Sequence, residues 1–240
     1  MKHRTITGLI RYTSNKPERR GQERGRERFT FTHHTDGAVT IRALCELEDP
    51  DPEVLRDVIY SLGPDGRPLD CLLRLTVGDR FMGSGWFRMS GETIECESHG
   101  PSIGRVSQTV STGGDYDGFG THPIVGDAYL TRCVDISKGP HKRPVRVFLP
   151  SVDHRGATPP LIAEGNLFLE YVGEETVTVE AGTFECRHFR FTDEDAGMAS
   201  KDGAHPPYEV WVTADDDAIF VQGGVAGYMQ TWYELVELDR

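Results

Sequence analysis

Short runs in which apolar and polar residues alternate, each closed by a turn signal about every ten residues, dominate this sequence. An alternation of period two places every second side chain on one face of a strand. Val39, Ile41, Ala43 and Cys45 share one side of a predicted strand over 38–47, after the hairpin signal Thr35-Asp36-Gly37. Strands are likewise predicted over 5–13, 22–34, 54–62, 69–77, 80–89 and 93–98. The turn Gly63-Pro64-Asp65-Gly66 precedes the run in which Leu69, Cys71, Leu73 and Leu75 alternate. Regular hairpins of this kind require an up-and-down barrel or a strongly curved sheet.

The pattern lapses between His99 and Pro160, where glycines and prolines are dense. A helix is predicted over 121–136, with Thr121 as N-cap and with Ile124, Ala128 and Val134 facing the sheet. A long irregular insertion in such a domain reads as a lid or binding loop over one mouth. Strands resume over 161–171 and 183–192, then over 208–213, 218–221 and 228–238.

The pattern Gly-Glu-x-x-Val-x-Val-x-Ala-Gly-Thr-Phe from Gly173 to Phe184, followed by Trp-Val-Thr at 211–213, resembles uncharacterised β-proteins near the lipoprotein-carrier and AttH-like superfamilies. The resemblance implies a calycin-like fold, a long curved antiparallel sheet around an apolar cavity. The expectation is therefore an all-β chain, one antiparallel calycin-like barrel or half-barrel over 1–240, with an irregular insertion containing a short helix. The resemblance also implies a carrier of an apolar ligand as one functional reading.

Composition restricts the partners. The net charge of −12 is uneven, since residues 2–28 hold nine Lys or Arg against three Glu and leave −18 for the rest. An acidic body disfavours nucleic acid, whose binding rests on phosphate neutralisation. The basic stretch over 17–28 alternates with Glu18, Glu23 and Glu27 and has no interleaved aromatics, so it reads as an exposed loop leading into an edge strand. No run approaches a membrane helix and none near residue 1 has signal-peptide length, so no membrane partner and a cytoplasmic location are expected. Cys45, Cys71, Cys96, Cys133 and Cys186 form no CxxC pair and read as small buried thiols. A homodimer is compatible with the sequence.

There is no P-loop, no GxGxxG after a strand, no GxSxG elbow and no HExxH, so no organic cofactor is expected. Histidines lead the candidates for chemistry because their pKa lies near working pH. His33 shares a face with Phe29 and Phe31 and points inward, as a general base or as a core histidine bonded to a backbone carbonyl. His122 begins the insertion helix, with Asp127 five residues on but off its face. His154 and Arg155 sit in a proline-bounded loop, where Arg155 suits a carboxylate or phenolate. His33, His122, His154 and Asp127 have no metal-ligand spacing, so no metal is assigned. Tyr60, Trp86, Tyr129, Trp211 and Tyr233 are candidate ligand contacts, though such aromatics are more often core, and His99 is a candidate for the rim. His141 and His205 read as solvated, and His188 as an outer-face residue. The functional expectation is an acid–base lyase, isomerase or cyclase acting on a small hydrophobic, aromatic or oxygenated molecule.

Overall fold

Among the described residues, the alternation of the sequence becomes fifteen strands in one sheet. The computed structural model describes residues 2–48, 51–153, 155–193 and 204–240. The first half holds β1 (Arg4–Ser14), β2 (Glu23–His33), β3 (Val39–Leu47), β4 (Val54–Leu62), β5 (Pro68–Val77), β6 (Arg80–Met89), β7 (Thr93–Gly100) and β8 (Gly104–Ser111). The second holds β9 (Gly118–Phe119), α1 (Ile124–Leu130), β10 (His141–Leu149), β11 (Ala163–Val179), β12 (Gly182–Thr192), β13 (Tyr208–Thr213), β14 (Phe220–Val225) and β15 (Thr231–Asp239). The sheet runs β8-β7-β6-β5-β4-β3-β2-β1-β15-β14-β13-β12-β11-β10-β9. Every pairing is antiparallel except β9 with β10, which is parallel. The chain is thus all-β and barrel-like, with one short α-helix among the described residues.

Ring contacts show that the sheet curls. Phe87 of β6 and Phe119 of β9 stand far apart in strand order, yet their rings lie 5.3 Å apart. The inward residues of both halves form one core. Val39, Ile41, Ala43 and Cys45 are all buried, as the alternation requires. Leu69 is an exception, because the β4–β5 register shifts beside Leu62 and leaves it outside while Pro68 turns in.

The stretch 99–160 is more regular than expected. It contains β8 and β10, whose alternation is masked by glycines and arginines, besides β9 and α1. The helix is shorter than predicted. It starts at Ile124 with Pro123 in the cap position, and 3₁₀ turns at Thr131–Cys133 and Ile136–Lys138 follow it. Ile124, Ala128 and Val134 are buried, as predicted. The basic stretch is also not an edge. Glu23–His33 pairs with β1 on one side and β3 on the other, because Gly25, Glu27, Phe29 and Phe31 share the inward face.

Candidate functional site

The site begins with a carboxylate that sequence reasoning placed outside. Glu27 is completely buried. Its Oε2 accepts from the Tyr12 hydroxyl (2.5 Å), the Cys45 thiol (3.4 Å) and the Ile124 amide (2.8 Å), while Oε1 accepts from the Val125 amide (3.0 Å). The helix has no side-chain cap of its own, so Glu27 satisfies two amides that its first turn leaves open. One strand residue therefore fixes where α1 sits inside the curled sheet.

A second buried charge holds the loop after β10. Arg56 of β4 is 2% exposed and its Nη2 donates to the carbonyls of Arg155 (2.6 Å) and Gly156 (3.1 Å). Gly156 has φ +62°, and a Cβ there would lie 2.6 Å from His122 Cδ2 and 2.7 Å from Arg56 Nη2. His122 itself sits at φ +71°, a left-handed conformation uncommon outside glycine. The Ser151 hydroxyl donates to the Asp153 carbonyl (2.9 Å), so its oxygen accepts from His122 Nε2 (3.1 Å). That contact places a proton on Nε2. Gly156→Ala is expected to displace His122 and Arg56 together. Hydrogen exchange at the amides over 155–162 should accelerate about tenfold or more, whereas the β1–β2 amides should be unchanged.

These elements enclose a chamber of about 640 Å³. Its apolar wall includes Leu47, Val54, Val77, Ile124 and Val225, with Tyr12, Tyr208, Tyr228 and Tyr233 beside them. Its polar wall includes Arg24, Arg56, His122, Asp127, Arg155 and His205. A size and lining of this kind suit a small, largely apolar molecule with one polar end. Tyr12 and Tyr233 meet edge to face at 4.9 Å, and Tyr208 and Tyr233 at 6.0 Å.

The two carboxyls of this region differ in their partners. Glu27 is pushed up by burial but drawn back by its donors. Asp127 accepts no side-chain or backbone hydrogen bond among the described residues. Protein atoms crowd it on all sides but the cavity, and this desolvation, together with the Glu27 charge, raises its pKa well above the carboxylate range against the opposing Arg56. Environments that differ in this way favour the charged form at Glu27, which its four donors stabilise, and the protonated form at Asp127. Burial likewise pushes the Tyr233 phenol up to about 12.

The structure divides the sequence candidates. His122, Asp127, Arg155 and Tyr233 meet at the chamber, and His205, expected in solvent, joins them. His33 points inward as expected, stacking on Phe31 at 6.1 Å, but it lines a different cavity of about 500 Å³ with Tyr60 and Tyr129. There its Nε2 lies 3.5 Å from Asp217, and burial lowers its pKa. The helix α1 contributes to both cavities, so the expected convergence of His33 with His122 does not occur. Trp86 and His99 lie in an outer groove with Ile59 and Leu72. Trp211 also faces outward, between the inward Val210 and Val212, stacked 4.0 Å from His188 and donating to Glu175. Period-two alternation accounts for both tryptophans, since their strand neighbours Phe87 and Val210 take the inner face. His154 lies outside the described residues. Glu27, Tyr12, Arg56 and Tyr208 were not anticipated. Inward register was the available signal for Glu27, which follows Gly25 and precedes Phe29 on one face.

Comparison with solved structures supports this β-barrel-like class. A β-barrel-like protein of the domain of unknown function DUF1849 from Brucella abortus superposes with a TM-score of 0.63 at 11% identity, covering 98% of this chain and 97% of that one. A putative exported protein with a YmcC-like fold from Bacteroides fragilis has a TM-score of 0.34 at 8% identity, over 98% of this chain and 95% of that one. The first likeness shows the fold alone. No protein-family model matches the sequence, and no curated protein matches it.

Proposed function

We propose that the chamber binds a small hydrophobic, oxygenated molecule and performs acid–base chemistry on it, as a lyase, isomerase or cyclase does. One observation carries this reading: Asp127, a carboxyl without a protein donor, faces an apolar and tyrosine-lined cavity. Asp127 serves as the proton donor, His122 as the proton acceptor, and Arg155 at the lip steadies negative charge. Its side chain is 43% exposed and lies 3.8 Å from Asp153, so it is free to turn toward a ligand. A calycin-like kinship with AttH-like proteins is part of the proposal, supported by the curved sheet around a cavity. A reducing, cytoplasmic setting is part of it too, supported by five unpaired cysteines.

The test is a ligand screen by thermal shift, followed by incubation of each binder with the protein in D₂O. Carbon-bound deuterium appearing in a binder, and lost with Asp127→Asn and with His122→Ala, is the expected result. Binders that never exchange carbon-bound hydrogen and are never converted would remove the catalytic reading. They would favour a carrier of an apolar ligand, the second reading, which the aliphatic and tyrosine side chains of the wall support.

A further inference from the structure

A small side pocket of about 110 Å³ opens from the region of Asp127 and Tyr208. It shares Asp127, Tyr208, His122 and His205 with the main chamber, and Thr192 and Asp193 add further polar groups. Leu149, Leu167 and Phe191 line its apolar part. Tyr208 is only 6% exposed, and its ring stacks on Phe191 at 5.6 Å. Its hydroxyl has no hydrogen-bond partner among the described residues, and neither has Thr192 Oγ1. A buried hydroxyl left in this state costs about 1–3 kcal/mol, so natural structures rarely keep one without a use. The Asp127 carboxyl, also without a donor, lines the same recess. Three polar groups without protein partners thus converge where aliphatic side chains shape a small recess.

From this cavity and its unpartnered groups we infer that the chamber's ligand is a carbonyl compound, whose oxygen enters the side pocket and accepts from the Tyr208 hydroxyl and the Asp127 carboxyl. The inference rests on the chamber being the ligand site and supplies its substrate class: ketones or aldehydes with an apolar body. A carbonyl oxygen has two lone pairs and no hydrogen, which matches two convergent donors. Two donors fixed on one oxygen also favour an oxygen that gains negative charge. A hydrocarbon of the same shape would leave both donors unsatisfied, and such sites reject analogues that lack the polar atom.

Binding of 2-acetylnaphthalene and of its oxygen-free isostere 2-isopropenylnaphthalene, each followed by displacement of 1-anilinonaphthalene-8-sulfonate, tests this directly. The ketone is expected to bind about tenfold tighter or more. Tyr208→Phe, which keeps the ring, should cut the preference severalfold, to what the Asp127 donor alone provides. Thr192→Val provides a second variant and should reduce the preference by a smaller factor. Equal affinities in the native protein, or a preference undiminished by Tyr208→Phe, would overturn the carbonyl assignment. Dye binding with neither probe competing would overturn it too, while leaving the chamber as a ligand site. If the dye also fails to bind, the chamber reading falls as well. Preference for the ketone without carbon-bound deuterium exchange would keep this inference and refute the catalytic one.

Discussion

Glu27→Ala is expected to lower unfolding free energy by about 3–5 kcal/mol. The side chain is completely buried and is the acceptor for the Tyr12 hydroxyl, the Cys45 thiol and the Ile124 and Val125 amides. Truncation leaves a cavity and strands those donors without water. Each unsatisfied buried group costs about 1–3 kcal/mol, and no neighbour is placed to replace the carboxylate. Tyr12→Phe removes one donor and leaves the other three in place, so about 1 kcal/mol is expected. Denaturant unfolding followed by far-UV circular dichroism measures both. A Glu27→Ala protein within 1 kcal/mol of native stability would show that α1 is held by its apolar face alone. The same variant should loosen α1 and so weaken ligand binding in the chamber, since Ile124 and Asp127 are part of its wall.

The contrast between Glu27 and the strands explains what the sequence disclosed. Period two is a local signal, so β3, β4, β6 and β13 follow from their own residues. Their ends are set by turn chemistry, which is also local: Asp-Gly at 36–37 and the Gly-Pro-Asp-Gly turn at 63–66. The helix depends on a residue almost a hundred positions away. Thr121 is therefore a sensible local cap that the tertiary structure overrides, and Glu27 does its work from β2. β10 was hidden because Arg143, Pro144 and Arg146 obscure the alternation, although Val145 and Val147 are buried. His33 and His122 are both inward or half-buried, as alternation and helix position suggested. Which cavity each one faces depends on where α1 crosses the interior, and no local pattern records that. Tyr208 was placed correctly on a strand, yet its significance lies in a hydroxyl without a partner, a property that exists only in the folded chain.

Asp127→Asn is expected to stabilise the fold while abolishing the proton chemistry. In the native state the carboxyl lacks a donor, sits close to the charge of Glu27, and prefers to remain protonated. An amide has similar size, never ionises and is not repelled by Glu27. Below the ordinary carboxylate pKa near 4, folded and unfolded Asp127 are both protonated, and no penalty arises. As pH rises, the unfolded chain loses this proton first, while the folded chain keeps it until its own raised pKa. Stability from Asp127 is therefore present at low pH and is lost progressively as pH climbs through the folded value. The asparagine variant lacks this slope, so its advantage over the native protein should be near zero at about pH 4 and should grow toward neutrality, reaching about 1–2 kcal/mol. Thermal unfolding at a series of pH values measures the difference. Turnover, or carbon-bound deuterium exchange, should fall by about a hundredfold or more, because an amide cannot deliver a proton. A variant that gains stability and loses exchange would identify Asp127 as a group kept at a cost to the fold for its chemistry. A variant that loses stability at neutral pH would show instead that the carboxylate is charged and partnered in solution. Asp127 would then belong to the scaffold with Glu27, and the proton donor would have to be sought at Tyr208 or His205.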